Sequence, residues 1–256
     1  MIMKPDSRLV AELHPSPNAG ERRAGVRPCL VVLHYTGMTS ADHAIAWLAN
    51  PESQVSCHYV VDERGRITQM VPEALRAWHA GASHWAGETD INSVSIGIEI
   101  QNPGHDRGYP DFPAAQMQAI AALCRDIAER RGIAPEGILA HSDVSPGRKI
   151  DPGEKLDWAW LALEGVGHWV EPSALDPMCA ELIPEDQTAA IVETQTLLRR
   201  YGYDVEVSGG LDPRTRTVIK AFQLHFRPAR VDGNLDRPTF DTLTRLVAAL
   251  PVPLAS

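Results

Sequence analysis

Two histidines, an aspartate, a glutamate and a lysine carry the chemistry that this sequence suggests. His34 closes the apolar run Pro28-Cys-Leu-Val-Val-Leu, and His141 closes the shorter run Ile138-Leu-Ala. Strand C-terminal ends are where open α/β sheets present ligand groups. Asp151 follows ten residues later, within Gly147-Arg-Lys-Ile-Asp-Pro-Gly153. Two imidazoles and a carboxylate form a three-ligand set for zinc and leave a fourth position for water. The separations of 107 and 10 positions are not a compact metal motif, and the alternative is that each histidine caps or hydrogen-bonds a strand end.

Glu99 lies in a strictly alternating segment, in which Val94, Ile96, Ile98 and Ile100 face one side and Ser95, Gly97, Glu99 and Gln101 the other. An edge-strand carboxylate facing water is the plain alternative, but Gly97 beside it signals close approach to that face. Lys149 precedes Asp151 by two residues, so in an extended segment both project to one side. A cation there could stabilise an oxyanion, or simply pair with the aspartate. A general base, a Lewis-acid metal and an oxyanion donor together make a hydrolase site.

The elements that must position these groups follow from the pattern. The run ending at His34 reads as a strand buried on both faces. Thr39 or Ser40 caps a helix running to about Ala49, which Pro51 stops. Cys57–Asp62 and Arg66–Val71 flank Glu63-Arg64-Gly65 as a hairpin. Pro113 to Arg131 has helical spacing, with Gly132 as its C′ residue. Strands alternating with helices predict an α/β fold, a mixed central β-sheet flanked by helices that ends near residue 165. A stretch rich in proline and acidic residues follows, and then an internal echo: Gly209-Gly-Leu-Asp-Pro-Arg-Thr215 matches Gly233-Asn-Leu-Asp-Arg-Pro-Thr239. Each Asp can be an N-cap with Pro in the first turn, predicting helices from about 213 and 237 after one over 187–201. The expected organisation is an N-terminal extension (1–24), a catalytic domain (25–165), a linker (166–185) and a small three-helix domain (186–251).

Composition narrows the partners. The 256 residues carry 33 acidic and 24 basic side chains, a net charge of -9, which disfavours a general nucleic-acid binder because phosphate contacts need a basic face. No 18-residue apolar run exists, so no membrane span is expected. The four cysteines are far apart and form neither a disulfide framework nor a zinc knuckle. With no secretory signal visible at the start, the expected location is the cytoplasm, the alternative being the periplasm or cell envelope.

The segments VVLHYTG (31–37), VSCHYVV (55–61), AWHAG (77–81), SIGIEIQN (95–102) and HSDVSPGRKIDPG (141–153) occur in one order. Together they closely resemble the zinc N-acetylmuramoyl-L-alanine amidases of the AmpD-like type 2 family, over about residues 25–165. The C-terminal segment resembles the three-helix peptidoglycan-binding domain, through Gln195, Leu198, Gly202-Tyr203, GGLDPRT, Ala221-Phe-Gln223 and Val231-Asp-Gly233. The resemblance implies a single catalytic Zn2+ on His34, His141 and Asp151, with Glu99 as the catalytic carboxylate and Lys149 as the oxyanion-side cation. It implies substrate contacts from Tyr35, Trp78 and His79, and a structural or supporting place for His58. His14, His43, His84, His105, His168 and His225 match nothing catalytic in it. The implied partners are muropeptides, including 1,6-anhydro forms, or the polymer itself. A non-catalytic peptidoglycan-recognition protein and a zinc peptidase acting within the stem peptide are the other readings.

Overall fold

A computed structural model describes residues 3–174 and 182–251. Among these residues, eight strands and eight α-helices follow in chain order. The strands are β1 (Glu12–Leu13), β2 (Ala19–Gly20), β3 (Leu30–Tyr35), β4 (Tyr59–Val61), β5 (Ile67–Gln69), β6 (Arg76–Ala77), β7 (Ser95–Ile100) and β8 (Ile138–Ala140). The helices are α1 (Ala41–Leu48), α2 (Ile91–Val94), α3 (Ala114–Arg131), α4 (His141–Val144), α5 (Trp158–Leu163), α6 (Thr188–Tyr201), α7 (Pro213–Phe226) and α8 (Arg237–Ala248). Six strands form one mixed sheet in the order β1-β5-β4-β7-β3-β8, and β2 pairs with β6 separately. Within the sheet only the β4–β5 hairpin is antiparallel.

The continuous apolar character of β3 is explained by its central place, parallel to β7 on one side and β8 on the other. Val31 and Leu33 pack with Ile96, Ile98 and Ile100 against the α3 residues Ile120, Leu123, Cys124 and Ile127. Helix α3 ends at Gly132, whose φ of 67° is easily reached only without a Cβ, and its N–H donates to the Ala128 carbonyl. Leu30 and Val32 point to the opposite face and join Leu139, Val144 and Trp85.

That second apolar cluster runs without a break into the C-terminal helices, taking in Leu198, Tyr203, Phe222, Phe226 and Leu243. The helices begin where the repeated motif predicts: Asp212 accepts from the Thr215 N–H and Asp236 from the Thr239 N–H, with a proline in each first turn. Residues 166–174 have no helix or strand, yet they are packed. Val166 is buried, and Trp169 lies against both clusters and stacks on Phe226. Residues 175–181, including Cys179, lie outside the described residues. No helix among the described residues is long and apolar enough to cross a membrane.

A buried charge cluster fastens α3 to the loop after β5. The Glu73 carboxylate, fully buried, accepts from the Tyr59 hydroxyl (2.5 Å), from both terminal nitrogens of Arg130 (2.8 Å each) and from Arg131 Nε (2.6 Å). Burial pushes the carboxyl up, but these donors outweigh it and hold it at about 2, below the ordinary 4.5. A carboxyl lowered on folding stabilises above its unfolded pKa, and that contribution disappears as pH falls through the folded value. Glu73→Ala, which also leaves Arg131 without its counter-charge and Arg130 with Asp126 alone, should therefore lower stability by about 3 kcal/mol at pH 7. Urea unfolding across pH should show the gap between wild type and variant narrowing from about pH 4.5 towards 2; a gap independent of pH would refute this role.

Candidate active site

The parallel register of β3 and β7 sets His34 directly beside Glu99 at the C-terminal ends of both strands. On the other side of β3, β8 runs straight into α4 and delivers His141 as its first residue. The chain then returns at Asp151, whose carbonyl accepts from the Ser142 N–H (3.0 Å). His34 Nδ1, His141 Nδ1 and Asp151 Oδ2 converge, with separations of 2.8 Å between the rings and 3.2 and 3.0 Å to the carboxylate. All three residues are buried, and they form a group able to hold a metal ion.

Outer hydrogen bonds fix which nitrogen of each ring is bare. The Ser95 hydroxyl donates to the Ile91 carbonyl (2.6 Å), so His79 Nε2 must be the donor in its 3.1 Å bond to Ser95 Oγ. His79 Nδ1 is then an acceptor, and it takes the proton of His34 Nε2 at 3.0 Å. His141 Nε2 faces the Ala80 carbonyl at 3.1 Å; Arg148 Nη2 is 3.2 Å from the same nitrogen but directs its two protons to the Ala80 carbonyl and Ser145 Oγ, so the imidazole donates to the carbonyl. Both rings therefore engage their Nε2 atoms outward and turn Nδ1 towards Asp151. Burial and the neighbouring His141 lower His34 to about 4, so it is neutral at pH 7. Burial would raise Asp151, but His141 and His34 hold it well below the ordinary carboxylate range. Three such atoms converging on one point are a donor set that a cation satisfies. Zinc bonds of roughly 2.0–2.1 Å suit two imidazoles and a carboxylate, and each imidazole has the oriented outer partner that metal-bound histidines have.

These groups open into a cavity of about 340 Å³, also lined by Tyr35, Trp78, His79, Glu99 and Lys149. All eight residues singled out in the sequence thus meet at one place. Glu99 Oε2 is enclosed without a hydrogen-bond partner. Burial, together with the charge of Asp151, pushes the Glu99 carboxyl well above its usual range, while Lys149 opposes that rise. The Tyr35 hydroxyl pairs with His105 Nδ1 (3.1 Å), and His105 stacks on Tyr109 and reaches Glu154 (3.0 Å). His58 sits behind the strand, accepting from the Gly97 N–H at 2.9 Å.

Several participants were not legible beforehand. Asn92 Oδ1 accepts from the His79 and Ala80 N–H groups (3.0 and 2.8 Å), fixing the loop that braces both rings. Trp47, 47% exposed on α1, stands at the cavity mouth. It shares the i, i+3, i+4 face of Ala44 and Leu48, so periodicity gave no signal of its place. Asn92 had none either, because its role depends on a loop meeting a short helix.

Convergent lone pairs at strand ends, with a carboxylate and an ammonium beside them, are the donor chemistry of a metal-dependent hydrolase. The chain belongs to the N-acetylmuramoyl-L-alanine amidase family, whose model matches residues 24–154. Residues 187–243 match the model of a peptidoglycan binding domain. The chain is 40% identical to N-acetylmuramoyl-L-alanine amidase AmiD of Escherichia coli over 82% of its own length and 79% of the relative's. Its fold is similar to that of E. coli AmiD in complex with anhydro-N-acetylmuramic acid-L-Ala-D-gamma-Glu-L-Lys, with a TM-score of 0.74 and 38% identity over 89% of this chain and 92% of the other. It is equally similar to AmpDh3 of Pseudomonas aeruginosa in complex with anhydromuramic pentapeptide, with a TM-score of 0.75 and 32% identity over 88% and 93%.

Gly97 gives a direct test of the bracing. A Cβ at this position would fall inside the His79 ring, which its two ring bonds and its own N–H hold in place. Gly97→Ala should displace His79 and release His34 Nε2, weakening zinc retention about tenfold in chelator competition. Far-ultraviolet circular dichroism should remain that of the wild type. Unchanged zinc affinity would show that His79 does not brace the ligand.

Proposed function

We propose that this chain cleaves the amide bond between the lactyl carbonyl of N-acetylmuramic acid and the L-alanine of peptidoglycan stem peptides, including those on 1,6-anhydro-N-acetylmuramic acid. The observation that carries the proposal is the meeting of His34, His141 and Asp151 with Glu99 and Lys149 in one cavity, in a chain of the amidase family. The relatives' complexes with anhydromuramyl peptides support the substrate class.

His34, His141 and Asp151 would hold one Zn2+. Bound there, the ion supplies Lewis-acid polarisation of the scissile carbonyl and a lowered pKa for water. Glu99 takes the proton of the attacking water and returns it to the amide nitrogen as the C–N bond breaks. This yields a muramic carboxylate and a peptide with a free L-alanine amine. The enclosed, unpartnered Oε2 of Glu99 suits it to exchange that proton. The Lys149 ammonium offsets the charge that develops on the carbonyl oxygen in the tetrahedral intermediate. Tyr35 and Trp78 border the muropeptide. His79 lines the cavity floor with both nitrogens already engaged, so its contribution to substrate is shape rather than a free donor.

Glu99→Gln and Lys149→Ala should retain zinc and lose about a hundred- to a thousandfold in kcat, whereas Asp151→Ala should lose the metal. Metal content and turnover on anhydro-muropeptide measure the two effects. Mass spectrometry of the products provides the test of bond choice. Free stem peptide beginning with L-alanine is expected. Cleavage inside the stem would make the chain a peptidase, and binding without cleavage would make it a recognition protein.

A further inference from the structure

The segment from His141 to Asp151 contains two of the three convergent ligands and Lys149, and the C-terminal helices grip it at two points. Asp143, fully buried on α4, accepts from the Ala140 N–H through Oδ2 (2.8 Å), which closes the turn that presents His141. Its remaining acceptor capacity is filled entirely from the C-terminal helical module. The Tyr203 hydroxyl donates to Oδ1 at 2.5 Å, and His225 Nδ1 donates to Oδ2 at 2.6 Å. Four residues further on, Gly147 lies against Thr217 of α7, so closely that a Cβ would be 2.6 Å from Thr217 Cγ2.

The donors are themselves fixed from the catalytic side. His225 stacks on Trp158 of α5 with centroids 3.7 Å apart. Tyr203 packs edge-on against Trp85 at 4.9 Å, and Gly202 allows that approach, since a Cβ there would lie 2.5 Å from Trp85 Cε2. The Ala86 N–H donates to the Gly202 carbonyl (2.8 Å), and the His84 N–H donates to that of Val144 (2.8 Å). The first bond ties the module to the 80–88 loop and the second ties that loop to α4; the Ala80 carbonyl of the same loop orients His141. A module that served only as a wall anchor would have no need of buried polar bonds to the ligand-bearing helix.

We propose that the C-terminal module is a built part of the metal site, with Tyr203 and His225 acting as positioning residues that hold His141 through Asp143. The inference rests on the amidase reading for the identity of the ion and the reaction, but not for the contacts. The module then governs metal affinity and turnover even on soluble muropeptides.

The test uses the full chain with Tyr203→Phe and His225→Phe combined, which keeps both aromatic packings and removes both donors. Zinc affinity by chelator competition should fall about tenfold. On a soluble anhydro-muropeptide, kcat should fall with KM little changed. Restoring either donor alone should recover part of both losses. Leu243→Ala, in the module's own core on α8, serves as a control for general destabilisation; it should lower the melting temperature without altering zinc affinity well below it. Wild-type zinc affinity in the double variant would overturn the inference, as would an equal loss of affinity in the Leu243→Ala control. If the wild type bound zinc but released no stem peptide, the amidase reading would fail, while the zinc measurement would still decide the role of the module.

Discussion

The structure is organised around an arrangement that is unfavourable on its own: two imidazole nitrogens and a carboxylate oxygen converging on one point, away from water. His34 and His141 present bare nitrogens 2.8 Å apart, with the Asp151 oxygen 3.0 Å or slightly more from each. In a buried setting that cluster relaxes unless a cation occupies it or each ring is tied from behind. Both ties are present. The chain from His34 through His79 and Ser95 to the Ile91 carbonyl, and the bond from His141 to Ala80, fix tautomer and orientation together. These outer bonds engage the Nε2 atom of each ring, so the rings are held ready for a metal by hydrogen bonds and not by sterics alone.

This logic accounts for the composition of β7. One face supplies Ile96, Ile98 and Ile100 to the core beneath α3. The other supplies, in order, a hydroxyl for His79, a missing side chain that admits the His79 ring, and the Glu99 carboxylate. A strand with period two can serve a core and a reaction site at once, provided its register with β3 is held. The buried partners of β3 hold it: a slip of one residue would bring Glu99 into the apolar layer and expose the isoleucines.

What could be read from the sequence divides along physical lines. The strand ends bearing His34 and His141, the alternation around Glu99, the α3 terminus at Gly132 and the capped starts at Asp212 and Asp236 were legible, because each is set by periodicity or by a local backbone bond. Convergence of five site residues was legible only through the resemblance, since it depends on sheet order, which spacing does not encode. The outer partners were hidden for the same reason. His225 matched nothing catalytic in the motif set, yet it is bonded to the helix that presents His141. The proline-rich stretch after residue 165 read as a spacer because it lacks periodicity. Its described part is packed without being regular, as Trp169 lies between the two apolar clusters.

The docking of the helical module also follows from the sheet. A short strand such as β8 at the sheet edge leaves Leu30, Val32 and Leu139 with an apolar face that is shared between the short helices α2 and α4 and the C-terminal module, since the long helix α3 occupies the opposite side. A three-helix unit of this size has little core of its own. Joining the two surfaces removes both deficits, and it brings α7 against the segment that follows β8. Once that surface is shared, a polar residue buried on α4 takes one donor from its own turn, the Ala140 N–H, and its side-chain donors from the module. Asp143 with Tyr203 and His225 is that solution, and it places the module's contribution two residues from His141. Burial of that sheet face and positioning of His141 are thus consequences of one interface.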